Sequence, residues 1–346
     1  MATARRAETL SRATPTVTAL AGGVGAARML RGLAAVVGQQ AITAVINTGD
    51  DAVLHGLYVS PDIDTVTYTL GGVANPATGW GLATETWRVM AGLREFETAG
   101  VTPRAGLTWF SLGDTDLATH LYRTGRLAAG AGLSQVTAEV AARFGVKARL
   151  LPMSDERVET RVTVDMGERA TPFAGPGVVE IGFQEYFVGL GHGAPVRQVR
   201  FAGAEAANPA PGVLAAIGEA EMLVICPSNP IVSIGPLMSV PGIADAVARR
   251  RDSTVAVSPI VAGKALKGPA DRMLVELGHE ASVVGVAEMW APLAATLVVD
   301  DADAGSAARV EAQGVRCVVA PAIMTGATEA ATLARAVLGA GRRRAG

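Results

Sequence analysis

TVTALAGGVGAARMLRGLAAVV, residues 16–37, sets the architecture. Residues 16–21 form a short apolar run of strand composition, Gly22-Gly23-Val24-Gly25 interrupts it, and Met29, Leu30, Leu33, Val36 and Val37 then recur on one helical face. Strand, glycine turn, helix aims backbone N–H groups and the positive end of a helix dipole at a phosphate. Glycine lets such a ligand approach closely because no Cβ intervenes. No Gly-Lys-Ser/Thr follows, so the turn is not a P-loop, and Arg28 stands where a dinucleotide fingerprint has its third small residue.

The same rhythm returns from Val213. AEMLVIC (220–226) is a continuous apolar run of the kind buried on both faces of a parallel sheet, and Pro227-Ser228-Asn229-Pro230 turns into IVSIGPLMSV. Ser228 and Asn229 suit either a helix cap or a ligand at the helix N-terminus. TVAVSPIVAGKALKGPADRML, ASVVGVAEMW, AATLVVDD, VRCVVAP and the helix ATEAATLARAVL complete the series. Short apolar strands alternating with amphipathic helices predict an α/β fold: a Rossmann-like, doubly wound, mainly parallel sheet. Residues 130–200 change character, with strand-like alternation in RVETRVTVDM and FQEYFVGL, and read as a smaller α+β insertion. The expected organisation is a flexible tail at 1–14 and one domain at 15–340, its nucleotide-binding core at about 15–129 and 201–340.

VINTGDDAVLHGLYVSPDIDTVTYTLGG (45–72) carries Asp50, Asp51, Asp62 and Asp64 just after a strand-like run. Carboxylates packed this closely repel one another unless a cation, a positive ligand or shared protons offset the charge. The ordinary alternative is two helix caps and a turn. Asp64 to Leu70 reads as a helix ended by Gly71-Gly72. WGLATETWRVMAGLREF (80–96) reads as another, with Trp87, Met90 and Leu93 inward, and Asp114 reads as the N-cap of a helix bearing Leu117, His120, Leu121 and Arg123.

Of the 346 residues, 49% are hydrophobic and 18% charged, and the net charge is −2. A basic stripe of the kind that binds nucleic acid is missing; the one basic run is Arg342-Arg343-Arg344. No apolar run reaches the roughly 18 residues that would cross a bilayer. MATARRAETLSRATP has no apolar core of a secretory signal, and Cys226 and Cys317 lie far apart in apolar runs, so a reducing, cytoplasmic setting is expected.

Several stretches carry a family resemblance: AGGVGAAR (21–28), VINTGDD (45–51), SPDIDT (60–65), YTLGG (68–72), LGDTDLATHL (112–121), LPMSDE (151–156), FQEY (183–186), PSNPIVSIGP (227–236), SPIVAGKALKG (258–268) and MTG (324–326). In these the chain resembles the 2-phospho-L-lactate transferase family, whose actinobacterial members are phosphoenolpyruvyl transferases in making the deazaflavin coenzyme F420. The resemblance implies a guanosine-diphosphate-activated three-carbon acid as donor, the primary hydroxyl of the deazaflavin Fo as acceptor, Mg²⁺ as cofactor and a homodimer. It implies Asp50 and Asp51 as metal ligands and Asp50, Asp62 and Asp64 as catalytic residues. Gly22, Gly23, Gly25, Ser228, Asn229 and Lys267 would bind guanosine diphosphate, and Asp62, Asp64, Trp80 and Asp114 would bind Fo. Phosphoenolpyruvate, phospholactate and phosphoglycerate donors are not distinguished by any one residue. Thr115 departs from the family's Gly-Asp-Arg-Asp signature, and threonine cannot neutralise an anion; Arg123 is a nearby replacement. Two rivals stand beside this: an NAD-dependent oxidoreductase, and a non-catalytic nucleotide-binding regulator of the same fold.

Overall fold

Apolar runs too short to cross a membrane become strands buried on both faces. The computed structural model describes residues 16–100, 106 and 108–342; the predicted tail at 1–14 and Arg343-Arg344 lie outside them. The strands are β1 (Val17–Ala21), β2 (Ile42–Ile46), β3 (Ala52–Leu54), β4 (Leu57–Val59), β5 (Arg149–Pro152), β6 (Glu159–Asp165) and β7 (Val178–Gly182). There follow β8 (Val196–Ala202), β9 (Met222–Ile225), β10 (Thr254–Val257), β11 (Ile260–Val261), β12 (Lys264–Ala265), β13 (Thr296–Val299) and β14 (Arg316–Val319). Seven of them form one sheet in the order β14-β13-β10-β9-β1-β2-β5, and every neighbouring pair is parallel. The predicted Rossmann-like α/β fold is therefore the observed one.

The chain enters this sheet at β1, builds β2 and β5 to one side, then returns to lay β9 on the other. That reversal opens a crevice at the carboxyl ends of β1 and β9, where such sheets bind ligands. Alternate strand residues feed two cores. Ala19 and Ala21 join Met29, Leu30 and Leu33 of α1 (Gly23–Val37) and Leu333 and Val337 of the last helix on one face. Leu20, Val45 and Ile225 join Ile217, Ile243 and Val286 on the other.

α2 (Pro61–Leu70) starts three residues before the predicted helix and opens with proline at its first position, where a missing N–H does no harm. α3 (Arg88–Thr98) begins eight residues later than expected. Gly79 and Gly81, both with positive φ, keep the chain before it from helical continuity, so Trp80 and Trp87 lie half-exposed while Met90 is buried. α4 (Asp114–Ala128) and α5 (Leu133–Arg143) follow.

Asp114 is not the N-cap of α4. Its carboxylate accepts from the Thr86 hydroxyl and the Arg88 and Val89 N–H groups, and so caps α3. Glu85 does the reverse and accepts from Thr115 and Asp116 N–H at the start of α4. The exchange ties the two helix starts together above a small core of Leu54, Val59, Met90 and Leu112.

α5 and β5 belong to the parallel sheet, because β5 pairs with β2 from Thr43↔Arg149 to Ile46↔Pro152. The antiparallel part of the 130–200 segment is thus the sheet β7-β6-β8, from Glu159 to Ala202. FQEYFVGL is helical and not a strand: Leu190 N–H reaches back to the Glu185 C=O, a five-residue span that makes a wide turn. Tyr186 is buried there with Val162, Ile181 and Val196, so its alternation reflects one packed face of a turn.

The start of α1 packs directly on the chain leaving β9, where a Cβ on Gly25 would lie 2.3 Å from the Pro227 carbonyl oxygen. Backbone cannot swing aside as a side chain can, so Gly25→Ala is expected to destabilise by about 1–3 kcal/mol. Gly218→Ala, with nothing near its Cβ, should stay close to wild type. Urea unfolding midpoints of the two variants check this.

Candidate functional site

The site grows out of the carboxyl end of β2. Asn47 N–H still bonds to the Ala21 C=O (2.9 Å), so the chain leaves the sheet beside the glycine turn. The Asn47 side chain then shapes the exit: its Oδ1 accepts from Gly49 N–H (2.8 Å) and its Nδ2 donates to Asp62 Oδ2 (3.0 Å) on α2. The antiparallel sheet and the helical turn after β7 brace this loop from outside, with Thr160 N–H on the Gly49 C=O (2.7 Å) and Gln184 Nε2 on the Asp50 C=O (3.0 Å). Gly22 meets Asp62 directly: a Cβ there would stand 2.8 Å from Ser233 Cβ and 3.0 Å from Asp62 Oδ2. Glycine turn and carboxylates are therefore one site.

Asp50, Asp51, Asp62 and Asp64 are all buried. Burial, then the charge of Asp62, holds the Asp50 pKa well above the ordinary carboxylate range. Burial raises Asp51 likewise, against the Ser60 hydroxyl that donates to its Oδ2 (2.8 Å). Asp62 is pushed up to about 6, again mainly by burial. The Oδ1 atoms of Asp50 and Asp51 and the hydroxyls of Thr48 and Thr160 are buried without hydrogen-bond partners. Hard, unpartnered oxygens on crowded carboxylates suit a divalent cation such as Mg²⁺.

Asp64 differs from the other three. Arg123 of α4, fully buried, donates through both terminal nitrogens to the two Asp64 oxygens. His120 Nδ1 stands 3.3 Å from the same guanidinium, and its Nε2 lies 3.5 Å from Asp116 Oδ2. Tyr68 donates to the other Asp116 oxygen. Single ligand atoms of Asp64, Asp116 and His120 come within 4.8 Å of one another, yet both Asp64 oxygens are already committed to a cation. This group is a structural charge network. Arg123 is accordingly no replacement for a family arginine at position 115. Thr115 itself is exposed and contributes its backbone N–H to Glu85.

The remaining predicted residues separate. Gly23 has φ +72 and open space where a Cβ would point, as a phosphate cradle needs, whereas Gly25 serves packing. The Ser228 hydroxyl donates to the Gly22 C=O (2.8 Å) and locks the two turns together, while Asn229 caps the next helical turn through the Ile231 and Val232 N–H groups. Lys267 donates to the Thr78 C=O (2.9 Å). Trp80 and Asp114 share no hydrogen bond with the carboxylates; Asp114 is occupied at α3. Asn47, Thr160 and Gln184 join this site beyond the residues the resemblance implies. Asn47 and Gln184 sit inside the quoted VINTGDD and FQEY stretches, which was their signal, and Asp116, His120 and Arg123 share one α4 face by spacing alone.

The fold and site define a doubly wound α/β protein with buried carboxylates and a glycine turn at its switch point. Residues 17–324 match the family described as 2-phospho-L-lactate transferase CofD, and the chain belongs to that family. It is 47% identical over 326 residues to the phosphoenolpyruvate transferase of Kitasatospora aureofaciens, covering 93% of this chain and 96% of that one. The phosphoenolpyruvate transferase of Mycolicibacterium smegmatis is 40% identical over 334 residues, covering 93% and 97%. A solved Bacillus halodurans structure shares the fold at a TM-score of 0.58 and 18% identity, over 94% of this chain and 99% of that one. The chain is a transferase, which displaces both the oxidoreductase and the regulator. Among the described residues no helix is long and apolar enough to cross a membrane.

Removing the Arg123 guanidinium strands a buried carboxylate. Arg123→Met is expected to destabilise by about 3–5 kcal/mol, the usual range for breaking a buried pair, and adding Asp64→Asn should recover part of it. Chemical denaturation of both variants checks this.

A second expectation concerns pH. The folded protein keeps a proton on Asp62 up to about pH 6, whereas an unperturbed carboxyl has a pKa of 3.8. Where the native state binds more protons, stability falls as pH rises. Metal-free protein should therefore melt higher at pH 5 than at pH 7.5, and Asp62→Asn should flatten that difference. Thermal melts across this window in chelator are the measurement.

Proposed function

We propose that the chain transfers a phosphoenolpyruvyl or 2-phospholactyl group from a guanosine-diphosphate-activated donor to the primary hydroxyl of Fo. GMP is released and the product is the corresponding (dehydro) coenzyme F420-0. The observation that carries this reading is the meeting of three proton-hungry carboxylates with a glycine turn, at Gly22 and Asp62. The relatives named phosphoenolpyruvate transferase, at 40–47% identity, favour the phosphoenolpyruvyl donor.

In this reaction the acceptor oxygen attacks the phosphorus that bears the three-carbon acid, and the bond from that phosphorus to the GMP phosphate oxygen breaks. The hydroxyl proton passes to a base. Such transfers depend mostly on positioning and charge neutralisation. Asp50 and Asp51 have the unpartnered oxygens to hold Mg²⁺, which would supply the positive charge a diphosphate requires. Asp62 suits the base: its pKa of about 6 lies near working pH, and Asn47 fixes its orientation. Asp64, paired with Arg123, anchors α2 against α4. Gly23 leaves room for the phosphate chain, and the Ser228–Gly22 bond keeps that turn in place.

Incubation with Fo, Mg²⁺ and each guanylated three-carbon acid, with products identified by mass, is the direct test. Absence of any F420-0-type product from all donors would sink the reading. Asp50→Asn should lower turnover on the order of a hundredfold or more, since metal charge stabilisation amounts to several kcal/mol and each 1.36 kcal/mol is tenfold. Its circular dichroism should match wild type; wild-type turnover at ordinary Mg²⁺ would remove Asp50 from the machinery.

A further inference from the structure

The wide turn that follows β9 leaves one polar side chain without a task in the fold. Over Pro230–Ile234 the chain winds loosely: the Ser233 and Ile234 N–H groups both reach the Asn229 C=O (3.1 Å each), and Gly235 N–H reaches the Pro230 C=O. Such a turn carries one residue more than an α-helical turn, which changes where its side chains project, and turns of this kind gather at working sites. Val232 is buried in the core beneath the antiparallel sheet, and Ile234 in one of the two cores of the parallel sheet. Ser233, between them, is half-buried and lies against the glycine turn.

Two distances fix its place. A Cβ on Gly22 would stand 2.8 Å from Ser233 Cβ and 3.0 Å from Asp62 Oδ2, so the serine and the carboxylate flank one gap. Gly22 is extended (φ −157), a shape any residue adopts, and glycine is therefore required there for space alone. Asn47, Ser60 and Ser228 spend their donors on Asp62, Asp51 and the Gly22 C=O. Among the described residues the Ser233 hydroxyl has no hydrogen-bond partner.

We propose that Ser233 is a catalytic donor, whose hydroxyl gives a hydrogen bond to a non-bridging oxygen on the phosphorus being transferred; this rests on the proposed reaction. As the acceptor oxygen bonds to that phosphorus and the bond to the GMP oxygen breaks, the acceptor proton goes to Asp62 and Ser233 keeps its own. The phosphoryl oxygens carry negative charge throughout, and on this side their neighbour is Asp62, itself an anion until it takes the proton. A lysine or arginine here would pair with Asp62 and lower its basicity. A neutral hydroxyl meets the phosphoryl charge and leaves the base intact. Held by the wide turn, it needs no reorganisation at the moment of reaction.

The test uses the full chain with Fo, Mg²⁺ and each guanylated donor. Ser233→Ala should keep the wild-type urea midpoint, because a hydroxyl without a protein partner adds little to folding. Its calorimetric affinity for guanosine diphosphate should match wild type. Its kcat should fall about a hundredfold, the usual loss for one such donor, with the Michaelis constants unchanged. Sulfur in place of a non-bridging oxygen on the transferred phosphorus gives a pair of diastereomeric donors, and sulfur accepts hydrogen bonds weakly. With the diastereomer whose sulfur faces Ser233, wild type and Ser233→Ala should transfer at similar rates; with the other, the gap between them should remain. Wild-type kcat in Ser233→Ala, a gap that survives in both diastereomers, or a loss confined to guanosine diphosphate affinity or to the urea midpoint would overturn the role. No transfer by wild type from any donor would defeat the reaction and the serine's part in it together. Transfer by wild type with Ser233→Ala unchanged would defeat the serine alone.

Discussion

Burial of four carboxylates at the end of one central strand is the constraint on which the rest of the structure turns. Desolvation penalises each negative charge, and their proximity penalises them again. Among the described residues the protein answers with one paired side-chain cation, Arg123, set against Asp64. Asp50, Asp51 and Asp62 are left to hold protons or to take a cation from outside. The surrounding architecture keeps that unfavourable arrangement from relaxing. Asn47 pins Asp62, Ser60 pins Asp51, and the loop is clasped by Thr160 of the antiparallel sheet and by Gln184 of the helical turn after β7. Strain of this kind persists only where neighbours over-determine it, and it is the usual signature of a working site.

The division of labour among the acids follows from partners and not from sequence position. Asp62 and Asp64 sit two residues apart on the first turn of α2, yet one faces the glycine turn and the other faces α4. Asp64 has exchanged its availability to ligands for a hold on α4. Asp62 kept its lone pairs near the crevice. A motif that reads as a pair is thus two residues with separate tasks.

What was legible in the sequence was what short-range pattern controls. β1, β9 and α1 could be read because strands covered on both faces are apolar throughout, and a helix with one buried face repeats its apolar residues. The carboxylate cluster was legible because Asp50 to Asp64 lie close along the chain. Arg123 was not, since its partner is 59 residues away and a lone arginine on an amphipathic helix ordinarily faces water. Asp114 departs from its local pattern for a related reason: a carboxylate at a helix start looks like that helix's own cap, and here the cap crosses to another helix. FQEYFVGL failed through period, because a wide turn with one packed side alternates much as a strand does. Trp87 was set inward by helical spacing that does not begin until Arg88.

The exchanged caps have a consequence for how the molecule opens. Asp114 satisfies the first N–H groups of α3, and Glu85 satisfies those of α4. Neither helix can fray from its N-terminus without stripping the other of the carboxylate it relies on. The two helix starts therefore behave as one cooperative unit with a shared opening free energy. Thermal motion reaches this side of the crevice as an all-or-none event. Because α4 also carries Arg123, opening that unit reaches the buried charge balance beneath it.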